Sequence, residues 1–236
     1  MTVARQRPPD ELRPVRLHVG YTDMTPGSVL IEVGRTRVLC TASLDPDVPR
    51  WMRDAGKGWV TAEYGMLPGS SADRIHRDNY TRGRAQEISR LVGRALRAVV
   101  DLPAMGERMV RVDCDVIQAD GGTRTAAITG AWVALHDALE HAVAKGAMAR
   151  NPILDTVAAV SVGIVDGLSV LDMDYQDDVS AEVDLNVVMS GRGLLIEVQG
   201  TAERVPFSRA DLDALLDLAA VGIAELDAMQ RQATTP

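Results

Sequence analysis

The sequence predicts a mixed α/β (α+β) fold in which sheets pack against a few helices. Three observations carry this. The order of apolar patterns runs four strands, a helix, a strand, a helix, four strands and a helix, which is neither a strand–helix alternation nor a repeat array. No Gly-x-Gly-x-x-Gly or Gly-x-x-x-x-Gly-Lys-Ser/Thr motif is present, so dinucleotide and P-loop sites are disfavoured. The chain has 236 residues and a single Phe207, so its core must be built of Val, Leu, Ile, Ala and Met. That length fits one domain over residues 1–236, or one large domain of two similar halves.

Taken in order, Leu12–Val19, Ser28–Val33 and Thr36–Ser43 alternate as short strands, the last two joined at Gly34-Arg35 as a hairpin. Trp59–Met66 is a fourth strand that ends at Pro68. Gly69–Gly83 is polar and lacks periodicity, which predicts a mobile surface loop. Arg84–Asp101 predicts a helix whose apolar stripe is Ile88, Leu91, Val92, Ala95 and Val99, with Arg90, Arg94 and Arg97 along another face. Val110, Val112, Cys114 and Val116 mark a fifth strand, which stops at Gly121-Gly122 and opens into a helix from Arg124 to about Lys145. Val157–Val165, Ser169–Met173, Ala181–Met189 and Leu194–Gly200 read as further strands, and Ser208–Gln230 as a terminal helix capped by Ser208 and Asp211.

Charge is segregated along the chain. Residues 1–97 carry a net +5 and residues 98–236 a net −13, which together make the overall −8. Because local potential recruits a polyanion, the basic first part keeps a nucleic-acid partner open despite the acidic total. No apolar run is long enough to span a membrane, and Arg5–Asp10 lacks a signal-peptide core, so the cytoplasm is the expected compartment. Cys40 and Cys114 lie in apolar strands and read as reduced core thiols. The four histidines show no ligand spacing apart from His136 and His141, five apart, and are read as incidental.

Two segments carry chemistry. A strand that ends in glycines at a helix N-terminus suits an anion, with an ordinary strand–turn–helix joint as the alternative: glycine lets backbone N–H groups approach a ligand, and the first helical turn leaves them unpaired. Thr123 adds a hydroxyl there and Arg124 a forked cation suited to phosphate. The second segment crowds Asp172, Asp174, Asp177, Asp178, Glu182 and Asp184 ahead of and into a strand. Period-two geometry sets Glu182, Asp184 and Asn186 on one face, against Val183, Leu185 and Val187 on the other. Asp178 sits just before the strand, where the chain can fold it toward Asp184; two such carboxylates with substrate phosphates would suit magnesium, or serve as general acid and base, and an acidic turn with a solvated strand face is the alternative.

Four stretches, Lys57–Pro68, Arg84–Arg94, Cys114–Thr125 and Ser180–Asn186, resemble ribonuclease PH, and the resemblance extends from Asp10–Pro14 through Glu197–Ala202 into the terminal helix. The chain departs from common members at Ala85-Gln86 and at Gly69. The resemblance implies a ribonuclease PH-type fold, with two βαβα-like halves resembling ribosomal protein S5 domain 2. It implies a phosphorolytic 3′→5′ exoribonuclease that trims precursors of tRNA, and of rRNA, and releases nucleoside diphosphates. The reverse reaction would extend RNA 3′ ends from nucleoside diphosphates. By motif position, Arg84, Gly122, Thr123 and Arg124 hold inorganic phosphate, and Asp178 and Asp184 are the catalytic carboxylates and the ligands of Mg²⁺. The implied assembly is a homohexameric trimer of dimers, with Arg90, Arg94 and Arg97 facing carboxylates of a neighbouring subunit. Arg5 and Arg7 in the tail and Arg74 and Arg77 in the loop are the expected RNA contacts. A hydrolytic metal-dependent nuclease and a non-catalytic ring subunit are the competing readings.

Overall fold

The structure is a computed structural model and describes residues 5, 7–77 and 83–235. Part of the loop before Arg84 therefore lies outside the described residues. The expected mixed α/β architecture is present, with two sheets and four α-helices among the described residues.

The first sheet contains β1 (Val15–Val19), β2 (Gly27–Val33), β3 (Thr36–Asp45), β4 (Trp59–Met66) and β5 (Met109–Gln118), in the order β1-β2-β3-β5-β4. β1, β2, β3 and β5 pair antiparallel, and β4 pairs parallel to β5. A parallel neighbour requires a crossover, supplied here by α1 (Arg84–Arg97), whose Ile88, Leu91, Val92, Ala95 and Leu96 are buried. The second sheet contains β6 (Val157–Val165), β7 (Leu168–Leu171), β8 (Val183–Ser190) and β9 (Leu195–Ala202), all antiparallel, in the order β7-β6-β8-β9.

Between the sheets runs α2 (Thr123–Ala144), which packs on β2 and β3 on one side and on β6 on the other. A helix covered from both sides needs apolar or small residues all round, which is how Ala126, Ala127, Ile128, Gly130, Ala131, Val133 and Ala134 are used. At Gly130 a Cβ would stand 2.7 Å from Ile31 Cγ2 and 2.9 Å from Cys40 Sγ, so helix and sheet could not approach this closely with a larger residue. The outer face of the second sheet is closed by α4 (Arg209–Ala233), whose Leu215, Ala219, Ile223 and Leu226 meet Val160, Val162, Leu185 and Val187. Buried Gln230 of α4 donates to Thr129 O and Val157 O at 2.9 and 3.0 Å, fastening this helix to α2 and β6 together.

Several expected boundaries shift, for visible reasons. β1 starts at Val15 rather than Leu12, because Arg13 is engaged elsewhere and Pro14 follows it. β7 stops at Leu171, because Asp172 takes a left-handed conformation (φ 54°) that no strand can continue. The stretch before β8 contains a short helix, α3 (Tyr175–Ser180), that its acidic composition concealed. Asp174 caps it, accepting from Gln176 N and Asp177 N at 2.9 and 3.0 Å. Cys40 and Cys114 face each other across β3 and β5 as buried free thiols, as expected.

Two arginines of the row on α1 have partners within the chain. Arg94 forms a two-pronged bond to Glu197 of β9 at 2.7–2.8 Å, and Arg97 lies 4.3 Å over the Trp59 ring while donating to Val60 O at 2.8 Å. Both therefore act within the chain, and Arg90 alone of the three is exposed with no ion pair among the described residues. Among the described residues no helix is long and apolar enough to cross a membrane.

Candidate active site

The Gly-Gly turn forms where β5 feeds α2. Gly121 (φ 76°) and Gly122 (φ 64°) are both left-handed. A Cβ on Gly121 would also fall 2.5 Å from the carbonyl carbon of Asp174, so the turn is pressed against the chain leading into α3. Gly122 is the N-cap of α2 and offers no side chain. The first bond of the helical ladder runs from Ala126 N to Gly122 O at 3.0 Å, which leaves the N–H groups ahead of it outside the ladder. Thr123 is buried, and its hydroxyl pairs with the Tyr64 hydroxyl of β4 at 2.8 Å.

Arg124, in the first turn of α2, is largely buried; it donates to Gln199 Oε1 of β9 at 3.0 Å and lies 3.7 Å from Glu87 of α1. Arg84 is the first residue of α1, again after a glycine cap without a side-chain bond, and it is exposed with no ion-pair partner among the described residues. Burial pushes the Tyr64 hydroxyl above its usual range, against the pull of the Thr123 hydrogen bond and the positive charges of Arg84 and Arg124. Two helix N-termini and two forked cations thus converge.

The carboxylates stand beside them. Asp184 lies on β8 between Gly163 and Thr201, on the face turned toward α2 rather than toward α4. Its carboxyl is pushed up to about 6, first by burial and next by the charge of Asp178, while Arg124 and Arg84 pull it down and Glu203 adds to the rise. Asp178 is exposed on α3, one turn from the Asp174 cap. The residues read from the sequence as an anion half (Arg84, Gly122, Thr123, Arg124) and a carboxylate half (Asp178, Asp184) therefore occupy one electrostatic neighbourhood. Asn186 shares the Asp184 face, whereas Glu182 turns aside and accepts from Gly167 N at 3.2 Å.

The tail arginines are used differently from the expectation that they meet RNA. Arg5 pairs with Asp177 and donates to Leu171 O at 2.7 Å, and Arg7 bonds Asp172 Oδ2 at 3.2 Å and Asp172 O at 2.6 Å. Arg74 and Arg77 are exposed on the loop after β4. Sequence reasoning missed Arg13, Tyr64, Gln199 and Glu203 as members of this region.

Among the described residues no group of three or more His, Cys, Asp or Glu side chains is placed to hold a metal. Two carboxylates, one carrying excess negative potential, would fit a cation that keeps several waters and shares substrate oxygens, which is how magnesium is usually bound.

Family comparison matches residues 11–139 to "3' exoribonuclease family, domain 1" (RNase_PH) and residues 155–222 to "3' exoribonuclease family, domain 2". The chain belongs to this 3′ exoribonuclease family. The solved structures similar to this family member share its fold at low identity. Rice (Oryza sativa) Rrp46 matches with a TM-score of 0.79 at 18% identity, covering 98% of this chain and 99% of the other. A chain of the Archaeoglobus fulgidus exosome with RNA bound to the active site matches at 0.79 and 20% identity, covering 93% and 89%. A chain of an archaeal exosome core matches at 0.77 and 20%, covering 95% and 89%. The first exoribonuclease-family match ends at residue 139, within α2, and the second begins at residue 155, just ahead of β6 and the second sheet.

Proposed function

We propose that the chain is a phosphorolytic 3′→5′ exoribonuclease of ribonuclease PH type, acting on the 3′ ends of tRNA and rRNA precursors. The observation that carries this is the convergence of Arg84 and Arg124, at two helix N-termini without side-chain caps, beside Asp178 and Asp184. A hydrolytic nuclease needs the carboxylates but has no use for a second phosphate-gripping arginine. A non-catalytic ring subunit has no need of either, and this chain retains both.

In this reading Arg84, Arg124, the Thr123 hydroxyl and the α2 N–H groups hold inorganic phosphate. A phosphate oxygen attacks the last phosphodiester phosphorus in line; the new P–O bond forms as the bond to the 3′ oxygen of the penultimate nucleotide breaks. The terminal residue leaves as a nucleoside diphosphate, and the shortened RNA keeps its 3′ hydroxyl. Asp178 and Asp184 would hold Mg²⁺, which supplies charge stabilisation to the transferring phosphoryl oxygens. The protein's own share is to fix the nucleophile, orient the RNA end and assist protonation of the leaving oxygen. Arg74 and Arg77 supply exposed cations for the RNA path, in a homohexamer that gathers several such loops.

The test is incubation with a short RNA carrying a single-stranded 3′ end, with and without phosphate. Nucleoside diphosphates formed only with phosphate are expected, and excess diphosphate should extend the RNA. Monophosphates in phosphate-free buffer would indicate the hydrolytic alternative, and no product in either buffer would indicate an inactive ring subunit.

A further inference from the structure

Arg13 and Asp172 form a buried pair with exposures of 7% and 4%, 159 residues apart in sequence. Arg13 Nε donates to Asp172 Oδ2 at 2.9 Å, Nη2 to Oδ1 at 2.7 Å, and the Arg13 backbone N–H to Oδ2 at 2.8 Å. The same guanidinium reaches the Gly-Gly turn from behind. Its Nη1 donates to Asp120 O and its Nη2 approaches Gly121 O at 3.4 Å. Buried Thr36 completes the grip, its hydroxyl donating to Gly121 O at 2.7 Å and accepting from Asp120 N at 3.0 Å. With both carbonyls drawn inward, the glycine turn can present its following N–H groups outward.

Asp172 is equally committed on its own side. It is left-handed, and it leads through Met173 to the Asp174 cap of α3, the helix that bears Asp178. Arg7 adds a second guanidinium to it, and Leu171 N donates to Pro9 O at 2.7 Å, so residues 7–13 lie strapped across this corner. A single ion pair therefore touches the anion half of the site through carbonyls and the carboxylate half through the backbone of α3's entry.

We propose that Arg13 and Asp172, with Thr36, are positioning residues: a buried latch that fixes the Gly121–Gly122 turn and the Asp178-bearing segment to each other, so that the two halves of the site form as one unit. Neither Arg13 nor Asp172 contacts substrate. The role rests on the proposed phosphorolytic reading for what the turn holds, but the coupling of the two segments does not.

The test uses the full chain with Arg13→Lys, Asp172→Asn and Thr36→Val. Lysine keeps the charge but cannot fork between a carboxylate and two carbonyls. Thr36→Val keeps its shape and the ion pair, so it remains informative if a variant of the pair fails to fold. Amide hydrogen exchange is followed over residues 119–126, 172–180 and the core strand β6. We expect both loop segments to exchange faster together in Arg13→Lys, residues 119–126 in Thr36→Val, and β6 to stay protected in each. The KM for phosphate should rise about tenfold or more with the KM for RNA little changed, since small misplacement of a binding group costs on this order. Unchanged exchange in both segments, a rise in only one of them in Arg13→Lys, or a uniform rise that includes β6 would overturn the latch. A wild-type chain that performs no phosphorolysis would remove the functional reading instead, and the exchange result would still decide the latch.

Discussion

At the scale of single residues, two aspartates twelve positions apart respond to their surroundings in opposite directions. Burial alone would raise Asp172, but its bonds to Arg13 and the nearby charges of Arg13 and Arg7 hold it below the ordinary carboxylate range. Its stabilising contribution is complete above that range and drains away as pH falls through it toward the depressed native value. Asp172→Asn, which strands a buried cation, should cost about 3–5 kcal/mol at neutral pH and visibly less at pH 3, measured by denaturant unfolding. Equal losses at both pH values would mean that the ion pair does not set the cost. Asp184 is raised to about 6, so its contribution has the other sign: it favours the folded chain at low pH and is lost as pH rises through about 6. Because a magnesium ligand must be ionised, binding of Mg²⁺ alone, followed by calorimetry, should weaken steeply below that pH. Binding that stayed flat from pH 7.5 to 5 would exclude Asp184 as a ligand. Arg84→Ala should lower phosphorolysis about 10²-fold or more through the phosphate KM and kcat, the scale of losing one preorganised donor. Unchanged kinetics would remove Arg84 from the site.

At the scale of elements, the glycine turn is where local sequence and tertiary contact agree most closely. Gly121→Ala meets a left-handed backbone and the Asp174 main chain at 2.5 Å, and neither can give way cheaply. The variant should melt several degrees lower, about 2–4 °C for each kcal/mol in a chain of this size, and lose phosphate binding. Alanine tolerated at wild-type stability would contradict the packing described here. That turn was legible from sequence because its signals are local: alternating Val and Cys up to Gln118, two glycines, then Thr-Arg at a helix start. The long helices and nearly all strands were legible for the same reason. α3 was not, because six residues give too few turns for an apolar stripe and its aspartates read as a solvated loop; its cap at Asp174 is a helix signal that was available. Arg13 was illegible as a site residue because its partners, Asp172, Asp120 and Gly121, lie far along the chain, and the residues next to it carry no record of them. For the tail arginines, charge segregation located Arg5 and Arg7 but not the aspartates they pair with.

At the scale of the whole molecule, Arg94 and Arg97 already have partners within the chain. We expect a hexamer by light scattering, and Arg94→Ala should leave it intact while loosening the contact between α1 and β9, since an exposed pair is individually weak. Dissociation of that variant to monomers would place Arg94 back at a subunit boundary. The distance along the chain between Arg13 and Asp172 has a further meaning for how the protein comes into being. Everything that shapes the glycine turn locally, from β1 to the start of α2, has been translated by residue 125, whereas Asp172 comes 47 residues after that and 159 after Arg13. At roughly 5–20 residues per second, Arg13 waits on the order of 10–30 s for its counter-ion. During that interval the first sheet can collapse on its helices while its arginine has no carboxylate from the later half to grip. The nascent chain thus carries a built-in delay, and the ribosome must deliver the second sheet before the turn that would seize an anion can be set in its final shape.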